Sequence, residues 1–258
     1  MFDRFRKKTS TTEVAARLRD SLADSLGQNL LSLIQYFPDG VDPQGSNVAQ
    51  QLRVLIVLDV LDLTSLNACA DGLQAVSGSE LVAPMVLSHA ELVSSTDVFP
   101  VTFLEMKQHY EVLTGKDVLA ELVISDAHLR LRCEQELKNL LLRMQSAFLR
   151  QNHHATALLE SVRASYSAFQ RCLRTAIRVY GDPLPDDERE TVSLAAKKLG
   201  LDREVIERIE ETCGVDSSVG AEALAEIYGQ MLVEVHRAAT VIDALGEEEI
   251  IELDSVEG

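Results

Sequence analysis

Five consecutive aliphatic residues, Val54-Leu55-Ile56-Val57-Leu58, constrain this chain more than any other stretch. Such a run lacks the period-two alternation of a half-exposed strand, so it reads as a strand covered on both faces. It therefore demands packed layers on either side of a sheet. Upstream lie Pro38, Gly40, Pro43, Gly45 and Asn47, a dense set of turn formers. A second apolar segment, residues 29–36, precedes them. Residues 32–62 thus read as strand, polar loop, strand.

The neighbouring pattern supplies the covering layers. Thr11-Thr12-Glu13 offers an N-cap before Val14, Leu18, Leu22 and Leu26, and Gly27 a stop. A helix over residues 65–76 leads to a third strand, 82–87, after which Ser88 and Glu91 form a capping box. A helix over 99–107 and an edge strand over 110–115 close this part. From Ser125-Asp126 onward the period is helical. Leu129, Cys133, Leu137, Leu140, Met144 and Phe148 make one stripe, and Val162, Tyr166, Phe169, Leu173, Ile177 and Tyr180 another. Further helices are expected over 187–199, 202–213 and 221–245. The last thirteen residues, GEEEIIELDSVEG, hold six acids and no base and read as a mobile tail.

The opening Ser32 to Asp62 segment, with its apolar strand, polar loop and apolar strand, resembles the first hairpin of the nucleotidyltransferase superfamily related to DNA polymerase beta. The likeness is to minimal, kanamycin-type bacterial nucleotidyltransferases fused to a helical domain. In that family the pattern is Leu-Tyr-Gly-Ser, a loop, then Asp-x-Asp running into an apolar strand. The resemblance implies an α+β fold: a small mixed β-sheet domain with flanking helices over residues 1–124, an all-α antiparallel helical bundle over 125–246, and the acidic tail over 247–258.

The chemistry that the resemblance implies is missing its residues. Two Mg²⁺ ions hold the attacking and leaving oxygens in such transfers and want carboxylate ligands. Acids at i and i+2 of a strand point to one face. The positions that match the family pair are Gln51 and Arg53. The first is neutral and the second a fixed cation. After Tyr36 stand Phe37 and Pro38 in place of Gly-Ser, and proline has no N–H for a phosphate. Gly45-Ser46 is an ordinary loop dipeptide. Asp59 and Asp62 read as a strand exit and a helix cap, since Asp59 lies about 26 Å from Gln51 along an extended strand. Glu105 matches a further acidic position of relatives, and alone it holds no metal pair. Some relatives of such bundles cleave RNA with Arg-x4-His, and no arginine here has histidine five positions later.

Composition narrows what remains. With 24 basic against 41 acidic residues the chain carries a net charge of −17, which disfavours nucleic acid and anionic membrane surfaces. No apolar run reaches the length of a membrane span. Cys69, Cys133, Cys172 and Cys213 show no C-x-x-C spacing and His153-His154 are adjacent, so no zinc site is read and a reduced, cytoplasmic protein is expected. From His128 to Tyr180 there are nine Lys or Arg against three Glu. Arg171, Arg174 and Arg178 recur at three and four residues and share a helix face, a candidate surface for an acidic or phosphate-bearing partner, the other readings being a solvated face or docking on the chain's own acidic segments.

The expectation is a catalytically inactive protein of nucleotidyltransferase type, with no cofactor, no metal and no catalytic residue. It would act by binding a protein partner or by self-association. The alternatives are metal-dependent transfer through acids at other positions, and a toxin–antitoxin-like interaction component.

Overall fold

The computed structural model describes residues 11–37, 52–76, 82–151, 154–185, 187–214 and 220–256, with 247–256 as backbone alone. The chain divides into two compact units, Met1–Ser125 and Asp126–Gly258. The fold is α+β, a small mixed sheet with helices followed by a helical bundle.

In the first unit, α1 (Thr11–Leu26) precedes β1 (Leu30–Tyr36) and β2 (Leu52–Leu58), followed by α2 (Leu63–Gln74) and β3 (Val82–Ser88). Then come α3 (His89–Ser94), α4 (Pro100–Gln108), β4 (Tyr110–Gly115) and α5 (Val118–Glu121). The sheet order is β3-β2-β1-β4. β1 runs antiparallel to β2 and to β4, while β2 and β3 are parallel across the α2 crossover.

β2 is central and, Arg53 apart, wholly buried, as its apolar run requires. Val54, Ile56 and Leu58 face Val14, Leu18 and Leu22 of α1 and Cys69 of α2. Leu55 and Val57 face the other way, against Leu92, Phe103, Met106 and Leu119. Each of these side chains contributes roughly 1.5–3 kcal/mol by leaving water. Two glycines let elements close up. A Cβ on Gly72 would lie 2.8 Å from Leu22 Cδ2, and Ser21 Oγ donates to Gly72 O, so α1 and α2 touch there. Gly115 ends β4 at φ +89°, where a Cβ would lie 2.1 Å from Leu31 O.

The second unit holds α6 (Asp126–Gln151), α7 (Ala155–Val179), α8 (Glu188–Leu199), α9 (Arg203–Gly214) and α10 (Ala221–Val256). α6 and α7 are antiparallel: Ser161 Oγ donates to Gln151 at one end, and Cys133 Sγ to Cys172 O at the other. The stripe of Leu137, Leu140 and Met144 packs with Phe169 and Leu173, and with Tyr228, Met231 and Val235 of α10. Tyr228 stacks on Phe148 at 5.6 Å and donates to Met144 O at 3.0 Å.

The α8–α9 corner is closed by its own capping chemistry. Gly200 adopts φ 62° beyond α8, and Leu201 N returns to Ala196 O. The Asp202 side chain accepts from the N–H groups of Glu204 and Val205. Buried Glu234 of α10 accepts from Asp202 N at 2.9 Å and from Arg237, which pins the corner to α10.

One expectation is corrected here. The pattern stops the last helix at Leu245 and gives the acidic residues beyond it to a tail, whereas α10 continues to Val256. Gly246 lies within the helix. A Cβ there would lie 2.4 Å from Arg130 Cζ, so the glycine admits the guanidinium of α6. The Glu, Ile and Leu residues that follow are compatible with helix and include no proline.

Candidate functional site

The end of the sheet at which β1 stops and β2 starts is where the sequence places the candidate chemistry. Phe37 N donates to His109 O at 2.8 Å, carrying the β1–β4 pairing one step past Tyr36. Tyr36 pairs with Tyr110, and Arg53 with Ala83 of β3. Tyr36, Tyr110 and Leu55 belong to one core face. Arg53 lies two residues before Leu55, so the strand alternation puts it on that face too. It is exposed, the one charged residue of β2.

The electrostatics fit this placement. Burial raises the pKa of the Tyr36 hydroxyl, and the positive charge of Arg53 works in the opposite direction. Burial also raises that of Tyr110, whose hydroxyl donates to both carboxylate oxygens of Asp117 at 3.0 Å. Asp117 is itself committed to capping α5 through Ala120 N. Glu105 is half-buried on α4 and already engaged.

The acids after β2 sit at the opposite end of the strand. Asp59 N donates to Asn29 O at 3.0 Å. Asp62 caps α2: its carboxylate accepts from Ser65 N at 2.7 Å, while Ser65 Oγ accepts from Asp62 N. Those hydrogen bonds hold its carboxyl below the usual range. Gln51, Pro38, Gly45, Ser46 and His153 lie outside the described residues. His154 stands at the start of α7 and makes no side-chain cap bond.

The described residues do not fit a divalent cation at this end of the sheet. A dication about 6 Å from a guanidinium, at an effective dielectric of about 20, meets a repulsion of roughly 5 kcal/mol. Among the described residues no three of His, Cys, Asp and Glu gather as metal ligands. The thiols are poor nucleophiles as well. Cys133 is buried with a raised pKa, and the Cys172 thiol is pushed up to about 12 by burial. The exposed guanidinium of Arg53 on this sheet face can bind an anion or a hydrogen-bond acceptor.

Of the three arginines expected to share a face of α7, Arg171 is exposed and donates to Ser167 Oγ at 3.1 Å, Arg174 is half-buried, and Arg178 is 7% exposed. The physical reason is the depth of α7, which is buried without a break from Thr175 to Arg178. Helical spacing aligned the three cations, but packing from several sides enclosed the last of them. The sequence also left unmarked Tyr166, a buried phenol in an apolar stripe; nothing in its spacing sets it apart from the core residues around it.

No protein-family model matches the chain, and no curated protein matches it. Among solved structures the chain is similar to a spectinomycin adenyltransferase, AAD(9), from Enterococcus faecialis, whose crystal structure holds ATP and spectinomycin. The match has 14% identity, covers 86% of this chain and 99% of that one, and has a TM-score of 0.49. No helix among the described residues is long and apolar enough to cross a membrane.

Proposed function

We propose that the chain is a nucleotidyltransferase-like protein that has lost nucleotidyl transfer and acts by binding, in a regulatory or assembly role. One observation carries this reading: Arg53 stands exposed beside Tyr36, at the strand position where the family pattern has a metal-binding aspartate. A guanidinium there repels the ion that transfer requires, and no neutral rearrangement of the side chain removes its charge. Asp117, whose carboxylate accepts from Tyr110 on this sheet face, is spent on capping α5, and Asp62 caps α2 beyond the other end of β2. For the binding role, Arg171 and Arg174 are the members of the expected arginine stripe that remain accessible on α7, a partner face smaller than the helical spacing suggested.

Calorimetric titration with magnesium and each of the four nucleoside triphosphates tests the reading, together with transfer of label from the triphosphate. The expected result is no magnesium-dependent binding and no labelled product. Magnesium-dependent binding accompanied by label on any acceptor would overturn it.

A further inference from the structure

α6 buries one side in the helical unit and leaves the other open. On the open side Leu131, Leu142 and Leu149 are 44%, 64% and 81% exposed. They stand eleven and seven residues apart, close to three and two whole turns, so they fall within about 20° of one line. Exposed leucines scattered singly need no explanation, but three in line on one helix form an apolar ridge.

The charge beside this ridge has one sign. From Ala127 to Arg150 the exposed charged residues of α6 are Lys138, Arg143 and Arg150, with no acid among them. Glu134 and Glu136 are half-buried and pair with Arg130, Lys138 and Arg132 of the same helix. Asp243 draws Lys138 towards α10 at 3.4 Å, whereas Arg143 and Arg150 recur at seven residues along the other flank. A cover for the ridge therefore needs apolar residues and acids together. A second α6 does not supply them. In an antiparallel pair that set Leu131 against Leu149, Arg132 of one copy would meet Arg150 of the other.

The chain carries a matching segment itself. Residues 247–256 continue α10 as helix and read EEEIIELDSV, with five acids, no base, and Ile250, Ile251 and Leu253 within about one turn. α10 runs antiparallel to α6, with Tyr228 at Met144 and Gly246 at Arg130. α6 begins four residues before Arg130, and α10 continues ten past Gly246, so its end outruns the helix on which it packs. It also leads away from the ridge of its own chain, since Leu149 lies about 28 Å back along α6 from Arg130. The ridge of another copy is under no such limit. A ten-residue helix, about 15 Å long, spans the roughly 10 Å from Leu142 to Leu149.

We propose that the open face of α6 is a docking surface for the acidic end of α10 from a second copy of this chain. The apolar residues of that segment cover Leu142 and Leu149, and its carboxylates face Arg143 and Arg150. Reciprocal exchange closes a two-fold pair. The surface is separate from the sheet and from Arg171 and Arg174, and it does not depend on the loss of nucleotidyl transfer.

Sedimentation velocity of the full chain, at rising concentration and in low and high salt, tests this. A dimer that dissociates as salt rises is expected. Leu142→Asp with Leu149→Asp, and separately Arg143→Glu with Arg150→Glu, each weaken dimerisation about tenfold. The circular dichroism spectrum stays unchanged, because all four side chains are exposed. Glu248→Lys with Glu252→Lys weakens it equally, and combining this pair with the arginine reversal restores the dimer, a rescue that a folding defect would not give. A monomer at every concentration, a dimer indifferent to the leucine changes, or an arginine defect that the lysine pair does not rescue would each overturn the proposal.

Discussion

Two buried tyrosines of the helical unit allow the hydrogen-bond reasoning to be tested by sign. Tyr166 is 4% exposed and its hydroxyl has no partner among the described residues. Tyr228 is fully buried and its hydroxyl donates to Met144 O at 3.0 Å. Replacing either by phenylalanine removes one oxygen and leaves the ring in place. At Tyr166 the change relieves the desolvation of an unsatisfied group, so it stabilises by about 1 kcal/mol. At Tyr228 it deletes a made hydrogen bond and costs about 1 kcal/mol. With a urea m-value of roughly 2 kcal/mol per molar, the midpoints move apart by about 1 M, in opposite directions. Urea unfolding followed by circular dichroism reads this directly, with unchanged m-values confirming that the comparison is of stability. A Tyr166→Phe variant that is destabilised as much as Tyr228→Phe would refute the argument, because the hydroxyl would then have a partner.

Other expectations follow from the same contacts. Gly246→Ala gains helix propensity of up to about 1 kcal/mol but displaces the Arg130 guanidinium. It is therefore destabilising alone and stabilising in an Arg130→Ala background, a reversal that a double-mutant cycle measures. Arg53→Gln removes the cation that favours ionised Tyr36, so the tyrosine titration read by ultraviolet absorbance moves to higher pH. Asp62 has a depressed carboxyl pKa in the fold, so its contribution is present above the unfolded value and is lost as pH falls through the folded one. The difference in unfolding midpoint between the native chain and Asp62→Ala should narrow on acidification, and a constant difference would contradict the cap. Arg171→Glu with Arg174→Glu should leave the circular dichroism spectrum and unfolding midpoint nearly unchanged while abolishing co-purification of any partner held by this face.

Much of the architecture was legible because it is written in local periods. The run from Val54 to Leu58 could be only a strand with both faces covered, and the helix stripes follow from their three- and four-residue spacing. Asp62 with Ser65 and Ser88 with Glu91 close their helix starts within one turn, so the cap positions follow from the chain itself. The charge of Arg53 at a candidate metal position was equally legible, because it needs no neighbour to be known.

Tertiary packing decided what depends on residues distant in the chain. Arg178 continued the cationic stripe by spacing and is nevertheless buried, since burial is set by every helix around α7. Gly246 lies inside α10, and a guanidinium 116 positions earlier occupies the space that a Cβ there would need. Tyr166 was one more apolar stripe position until packing buried it without supplying its hydroxyl with a partner among the described residues. Periodicity determines which face of an element turns inward; only the assembled neighbours determine what meets it there.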